Sequence, residues 1–191
     1  MKTLFVNATT REESRTKRLA KYLLEKLDRD YEEVEIQKEN LYPLTADSLN
    51  KRNLLVGKNA FDDETLKVAR QFKEAETIVI ASPYYDLSMS ALLKTYLENI
   101  NVVGLTFQYI DDDVPETLSK VKKVIYVMTA GGTIVSHDYA YGYVKTMFET
   151  FYGVKDFEYF YAEKLDLFGV DAEAILKECE NKIDEYIKRS L

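Results

Sequence analysis

The feature that most narrows the fold of this chain is a steady alternation of short apolar runs with longer segments of helical period. Thr77-Ile78-Val79-Ile80-Ala81 and Val124-Ile125-Tyr126-Val127-Met128 show no polar alternation. As strands they must be covered on both faces, the condition of a parallel sheet. Thr3-Leu4-Phe5-Val6 is a shorter run of the same kind, and Phe157 to Tyr161 supplies another. Val34 and Ile36 alternate with Glu33 and Glu35, which predicts a half-exposed edge strand.

Between these runs the apolar residues return at helical spacing. Leu19, Leu23 and Leu27, with Tyr22 and Leu24 beside them, mark a first helix. Thr10-Arg11-Glu12-Glu13 matches a capping box for it, and Ser14 is a second candidate cap. Asp62 to Ala75 carries Leu66, Ala69 and Phe72 inward, and Ser90 to Ile100 carries Leu92, Leu93, Tyr96 and Ile100. Tyr139 to Phe151 places Val144, Met147, Phe148 and Phe151 on one side. The last helix runs from Asp171, its cap, to Lys188, with Ile175, Leu176, Cys179, Ile183 and Ile187 inward. Residues 38 to 62 have no clear period, and Leu54-Leu55-Val56 either forms a short helix or packs under a loop. Val103 to Glu116, with Phe107, Tyr109 and the acidic run Asp111-Asp112-Asp113, reads as a loop.

Five strands alternating with five helices, joined by right-handed crossovers, require an α/β architecture with a doubly wound parallel sheet. Three layers and the strand order 2-1-3-4-5 accommodate it. At 191 residues, with no repeat and no Gly/Ser linker, residues 1–191 form one expected domain. Ligands of such sheets bind beyond the carboxyl ends of the strands, at the switch point beside strands 1 and 3. The loops after strands 1, 3 and 4 are therefore the informative ones.

Composition removes several classes of function. The net charge of −7 disfavours binding nucleic acid through its phosphates, although a local basic pocket remains open to it. No apolar run reaches the length that spans a bilayer, so no membrane role is expected. One cysteine, Cys179, excludes an internal disulfide and a cysteine-clustered metal site, and no metal is expected. The opening Met1-Lys2-Thr3-Leu4-Phe5-Val6-Asn7 is too short for a signal peptide. A reducing, cytoplasmic setting is the expectation.

After strand 1 comes Asn7-Ala8-Thr9-Thr10-Arg11-Glu12-Glu13-Ser14-Arg15-Thr16. It runs into a helix amino terminus, where free N–H groups and the helix dipole attract an anion. Thr9, Ser14 and Thr16 offer hydroxyls, and Arg11 and Arg15 offer charge; a monophosphate suits this segment, as does an ordinary solvated loop. It lacks the glycines of a P-loop and of a Gly-x-Gly-x-x-Gly turn. After strand 3, Pro83-Tyr84-Tyr85-Asp86-Leu87 presents two adjacent aromatics, either to a flat ring or to neighbouring loops. After strand 4, Thr129-Ala130-Gly131-Gly132 lets the backbone approach a ligand closely, or is a plain tight turn.

Taken together, these three loops resemble those of the flavodoxin-like FMN-dependent NAD(P)H azoreductases and quinone reductases. Ser14-Arg15-Thr16 stands where that family has a Ser-x-Ser gripping the FMN phosphate. Pro83-Tyr84-Tyr85-Asp86-Leu87 is similar to its Pro-Met-Tyr-Asn-Phe loop along the isoalloxazine ring, and Thr129-Ala130-Gly131-Gly132 to its turn at the pyrimidine side. Leu92-Leu93-Lys94-Thr95-Tyr96, Thr106-Phe107 and Phe151-Tyr152-Gly153-Val154 extend the likeness over most of the chain. Asp86 replaces the usual Asn, which puts an acid near the flavin, and Tyr84 replaces a commoner Met.

The resemblance implies a flavodoxin-like fold with FMN as cofactor and NADH or NADPH as donor. It further implies two-electron transfer to a small planar acceptor, a quinone or azo compound. A homodimer is implied too, with Phe107, Tyr109 and the helix around Phe148 available for the contact. His137 and Tyr139 are the candidate catalytic side chains, because quinone reductases of the superfamily use a Tyr and a His near this position. The rival readings are an electron-carrier flavodoxin, whose phosphate loop would have a glycine absent here, and a non-catalytic FMN-binding protein. A receiver-type regulatory domain would need clustered acids after strand 1, which are also absent.

Overall fold

The computed structural model describes residues 2–111 and 113–190. Its centre is a five-stranded parallel sheet: β1 (Thr3–Asn7), β2 (Tyr31–Glu35), β3 (Thr77–Ala81), β4 (Lys123–Thr129) and β5 (Asp156–Ala162). The spatial order is 2-1-3-4-5, as the alternation predicts. β1 and β3 are buried at every position, whereas edge strand β2 is buried only at Val34.

Alternation along the strands sorts side chains to two faces. Leu4, Val6, Ile78, Ile80, Val124, Tyr126 and Met128 pack under α3 (Lys67–Glu74), α4 (Ala91–Ile100) and α5 (Tyr143–Tyr152). Phe5, Val79, Ala81, Ile125 and Val127 pack under α1 (Arg15–Leu27) and α6 (Ala172–Ser190). The result is three layers with two cores, one on each side of the sheet. On the first side Phe72 meets Phe148 edge-on, with ring centroids 5.7 Å apart, and lies 4.7 Å from Tyr152.

Three expectations need correction, and one alternative left open is decided. Ser14 is the cap of α1, its hydroxyl accepting from the Lys17 N–H at 3.2 Å; Thr10 to Glu13 lie outside the helix and form no capping box. Residues 38 to 62 contain a sixth helix, α2 (Ala46–Gly57), capped by Thr45. It buries no residue fully, so it lacks the strong apolar stripe that would advertise a helix. Leu55 and Val56 pack with Phe61 against Leu66, Ala69, Val102 and Leu105. The stretch from Val103 to Glu116 is not simply a loop: Phe107–Ile110 and Val114–Thr117 pair as an antiparallel hairpin, with Asp111 in its turn and Asp112 outside the described residues. Finally, a π-helical turn over Asp138–Gly142 precedes α5, which begins at Tyr143 and not at Tyr139.

The aromatic residues assigned to a dimer contact also divide. Phe107 and Phe148 are buried within the chain, and only Tyr109 is exposed. Thr106 is buried for a structural reason: its hydroxyl donates to the Ile100 carbonyl at 2.7 Å and accepts from the Val102 N–H at 3.0 Å. Gly153 ends α5 with a φ of 66°, a left-handed cap that favours glycine.

Two outcomes follow from this packing. Phe148→Ala should destabilise the chain by about 3–5 kcal/mol, read as a lower urea midpoint, because a fully buried ring leaves a cavity between α5 and the sheet. Burial pushes the Cys179 thiol up to about 11. It should therefore resist alkylation at pH 8 in the native protein and react readily once urea unfolds the chain.

Candidate functional site

The three loops meet, as the topology requires, at the carboxyl edge of the sheet. The backbone ladder continues past the strand ends: the Ala8 N–H donates to Ala81 O (2.9 Å), Ser82 N–H to Val127 O (3.1 Å) and Ala130 N–H to Ala162 O (2.9 Å). Each loop thus leaves from the same line. Ser90, the cap of α4, ties two of them: its hydroxyl accepts from the Leu93 N–H at 3.3 Å and donates to the Ala8 carbonyl at 3.2 Å.

Between the loops lies a cleft of about 360 Å³. Arg11, Ser14, Arg15 and Thr16 line it from the first loop, Pro83, Tyr84, Tyr85 and Asp86 from the second, and Thr129 and Gly131 from the third. Sequence reasoning placed all of these in the site. Glu13 and Asp166 also line the cleft and were missed. Asp166 follows β5, and β5 neighbours β4, so its loop reaches the same edge; the strand order was the signal that could have found it.

The remaining predicted residues stand nearby. Thr9 is buried, its hydroxyl and N–H both bonded to the Asn7 carboxamide oxygen (2.7 and 3.1 Å). Ala130 is buried beneath the turn, and its carbonyl accepts from the Leu165 N–H at 3.3 Å. Gly132 accepts from the Lys164 N–H at 2.9 Å, and a Cβ built on it would meet nothing within 4 Å.

Leu87 sits at the tip of a small hairpin in which Tyr84–Tyr85 pairs with Ser88–Met89. Its two central residues, Asp86 and Leu87, have φ values of 49° and 67°. Positive φ at both positions is what a type I′ turn demands. Asp tolerates this geometry, whereas Leu is strained there. Across the cleft the Tyr85 and Thr10 hydroxyls are 3.4 Å apart.

At the first loop the donors are backbone and arginine. The Arg15 and Thr16 N–H groups belong to the first turn of α1, ahead of any intrahelical acceptor. The Thr16 hydroxyl is committed to that of Thr129 at 2.6 Å, a buried bond that locks α1 to the end of β4. Arg15 donates to the Leu165 carbonyl at 2.9 Å and to the Asp166 carboxylate at 2.6 Å. Arg11 lines the cleft without an ion-pair partner among the described residues.

His137 and Tyr139 do not line this cleft. The His137 Nδ1 is 2.8 Å from the Tyr159 hydroxyl, within a cluster in which Tyr159 stacks on Tyr141 at 4.3 Å and on Tyr161 at 5.1 Å. Burial, reinforced by the neighbouring Tyr126, Tyr161 and Tyr141, pushes the Tyr159 hydroxyl far above the ordinary phenol range. The segment reaches the cleft only through its neighbours. Ser136 exchanges backbone hydrogen bonds with the Tyr84 hydroxyl (3.3 and 3.4 Å), and the Ser88 hydroxyl donates to the Tyr139 carbonyl at 2.5 Å. Tyr139 itself is exposed and faces a separate cleft with Ser88, Asp138, Gly142, Tyr143 and Thr146.

A family model described as flavodoxin-like fold matches residues 1–187. The chain belongs to this flavodoxin-like family. It is 33% identical over 98% of both chains to a protein of Coprothermobacter proteolyticus named FMN-dependent NADH:quinone oxidoreductase. A protein of the same name from Lachnoclostridium phytofermentans is 34% identical over 95% of each chain. Among solved structures, the azoreductase from Bacillus anthracis superposes with a TM-score of 0.81 at 26% identity, covering 98% of this chain and 99% of that one. Among the described residues, no group of His, Cys, Asp and Glu could hold a metal ion, and no helix of this flavodoxin-like chain is long and apolar enough to cross a membrane.

The strain at the hairpin tip is open to test. Leu87→Gly makes Asp-Gly, the preferred type I′ pair, and should raise the urea midpoint by the equivalent of about 1 kcal/mol. A lower midpoint would mean that Leu87 contributes packing that outweighs its backbone strain.

Proposed function

We propose that this chain binds FMN in the cleft and transfers two electrons from NADH to a small planar acceptor, a quinone or an azo compound. The observation that carries the reading is the meeting, in one cleft, of a helix amino terminus, an arginine with no ion-pair partner among the described residues, an aromatic hairpin and a glycine turn. Each suits one part of FMN. The names of its relatives in the flavodoxin-like family support the same assignment.

The N–H groups of Arg15 and Thr16, together with the Ser14 hydroxyl and Arg11, would hold the phosphate, since dipole and charge both favour an anion there. Tyr84, Tyr85 and the flanking backbone from Pro83 to Leu87 would lie along the ring, and the Thr129-Ala130-Gly131-Gly132 turn at its edge. Bound FMN would supply the redox chemistry, accepting a hydride from the nicotinamide and passing two electrons to the acceptor. The protein's own part is orientation and electrostatics. Asp86, at the hairpin turn and lining the cleft, would add negative charge close to the ring and so disfavour its gaining electrons.

No side chain in the cleft is placed as a nucleophile, and none is needed. His137 acts as a positioning residue: bonded to Tyr159, it holds the segment whose Ser136 backbone fixes the Tyr84 hydroxyl. Tyr139, outside the cleft, takes no direct step in this reading. NADH is preferred over NADPH as donor because the relatives' names specify it. A homodimer and a cytoplasmic setting complete the proposal. Exposed apolar residues near the site, among them Leu87, Val135 and Tyr139, give a second copy a surface to cover, and the free buried thiol suits a reducing compartment.

The test is a visible spectrum of protein reconstituted with FMN and desalted, then mixed anaerobically with NADH. A flavin band that is retained, bleaches with NADH and returns on adding a quinone supports the enzyme. A retained band that NADH leaves unchanged points instead to an electron carrier. Loss of the band on desalting would falsify the site.

A further inference from the structure

Arg15 begins the helix that faces the proposed phosphate, yet its guanidinium is already occupied. Nη2 meets the Asp166 carboxylate at 2.6 Å, and Nη1 meets the Leu165 carbonyl at 2.9 Å. Asp166 is held in place from behind, its N–H donating to the Gly131 carbonyl at 2.9 Å. Its carboxylate fills the space beside the glycine turn: a Cβ built on Gly131 would lie 2.2 Å from Oδ2 and 3.1 Å from Cγ. An acid therefore stands in the cleft itself, between the phosphate end and the glycine turn.

The pair is a weak one. The Arg15 and Asp166 side chains remain 31% and 61% exposed, and ion pairs at such sites are worth little, because water competes for both partners. A phosphate monoester brings about −1.5 to −2 charges and three acceptor oxygens. It is a stronger partner for a guanidinium than one carboxylate, and it is repelled by that carboxylate at short range. Arg11, the other arginine of the cleft, has no such competitor among the described residues.

We infer that Asp166 is a resident counter-anion. It holds Arg15 while the cleft is empty and releases it to the phosphate of the incoming flavin nucleotide. This inference rests on the FMN reading above and deepens it. The swap makes binding depend on the phosphate, since a flavin without one cannot displace the carboxylate. It also lowers FMN affinity below what the same cleft would reach without the acid.

The experiment is a titration followed by quenching of flavin fluorescence at low ionic strength, with FMN and with riboflavin. The proteins are the wild-type chain, Asp166→Asn, Arg15→Gln and the double variant. Asp166 is exposed and Arg15 is partly buried, and matching urea midpoints will confirm that each variant folds. Asp166→Asn is expected to bind FMN about two- to fivefold more tightly, the equivalent of an exposed ion pair. Arg15→Gln should bind it more weakly. In the Arg15→Gln background the gain from Asp166→Asn should shrink, a non-additivity diagnostic of the swap. Riboflavin should not distinguish Asp166→Asn from wild type, and the FMN gain should fade as salt is raised. Weaker or unchanged FMN binding by Asp166→Asn overturns the inference, because Asp166 would then be orienting Arg15 or standing by. Failure of the wild-type chain to bind FMN at all overturns the functional reading, and the inference with it.

Discussion

Everything at the functional edge depends on the register of the parallel sheet. Asn7 on β1 pairs with Ala81 on β3, and Ala81 with Val127 on β4, so β1 and β3 end side by side while β4 runs on to Thr129 beside β5. A one-residue slip of any strand would exchange its two faces, sending Leu4 and Val6 towards α1 and α6, and Phe5 towards α3 to α5. Both cores would then be mispacked. Register is therefore held by the burial of apolar side chains on two faces at once, the dominant favourable term in folding. The cleft inherits its geometry from that packing without having to stabilise itself.

The loops themselves are held by few interactions, and most are polar. Ser90 ties the α4 cap to the end of β1, Thr16 ties α1 to Thr129, and Ser136 ties the π-helical turn to Tyr84. One of these bonds, Thr16 to Thr129, uses a hydroxyl that sequence reasoning assigned to a ligand. A buried hydroxyl must find a partner, and within a folded chain the nearest partner is often another loop. In the proposed reading, phosphate binding at the first loop would therefore fall mainly to backbone N–H groups and arginines, which need no hydroxyl-rich motif. The Asp86-Leu87 turn places two successive non-glycine residues at positive φ, and it stands at the mouth of the cleft, where such strain tends to collect.

Charge in the cleft is mixed. Arg11 and Arg15 face Glu13, Asp86 and Asp166 within one set of lining residues. In a chain of net charge −7, binding a phosphate-bearing ligand cannot come from the overall field. It has to come from local placement of a few cations and a helix terminus. That arrangement is what the proposed binding of an anionic nucleotide would draw on in an acidic chain of the flavodoxin-like family.

The sequence by itself determined the layers, the strand order and most of the cleft. Apolar runs such as Thr77 to Ala81 have only one stable use, as strands covered on both sides, and right-handed crossovers leave little freedom in how they are joined. Once the order 2-1-3-4-5 stands, the positions of Ser14, Tyr84 and Gly131 at one edge follow. Helix α2 and the Phe107–Thr117 hairpin escaped because their pattern is shallow: α2 buries no residue fully, and the hairpin's residues are mostly exposed. Only the tertiary structure decided which side chains are free. Thr9 and Thr16 are committed to internal partners, His137 is drawn into a tyrosine cluster, and Asp166, some 150 positions from Arg15 along the chain, meets it directly. Such pairings join residues remote in sequence, so no local spacing encodes them; they exist only once the packed sheet has brought the loops together.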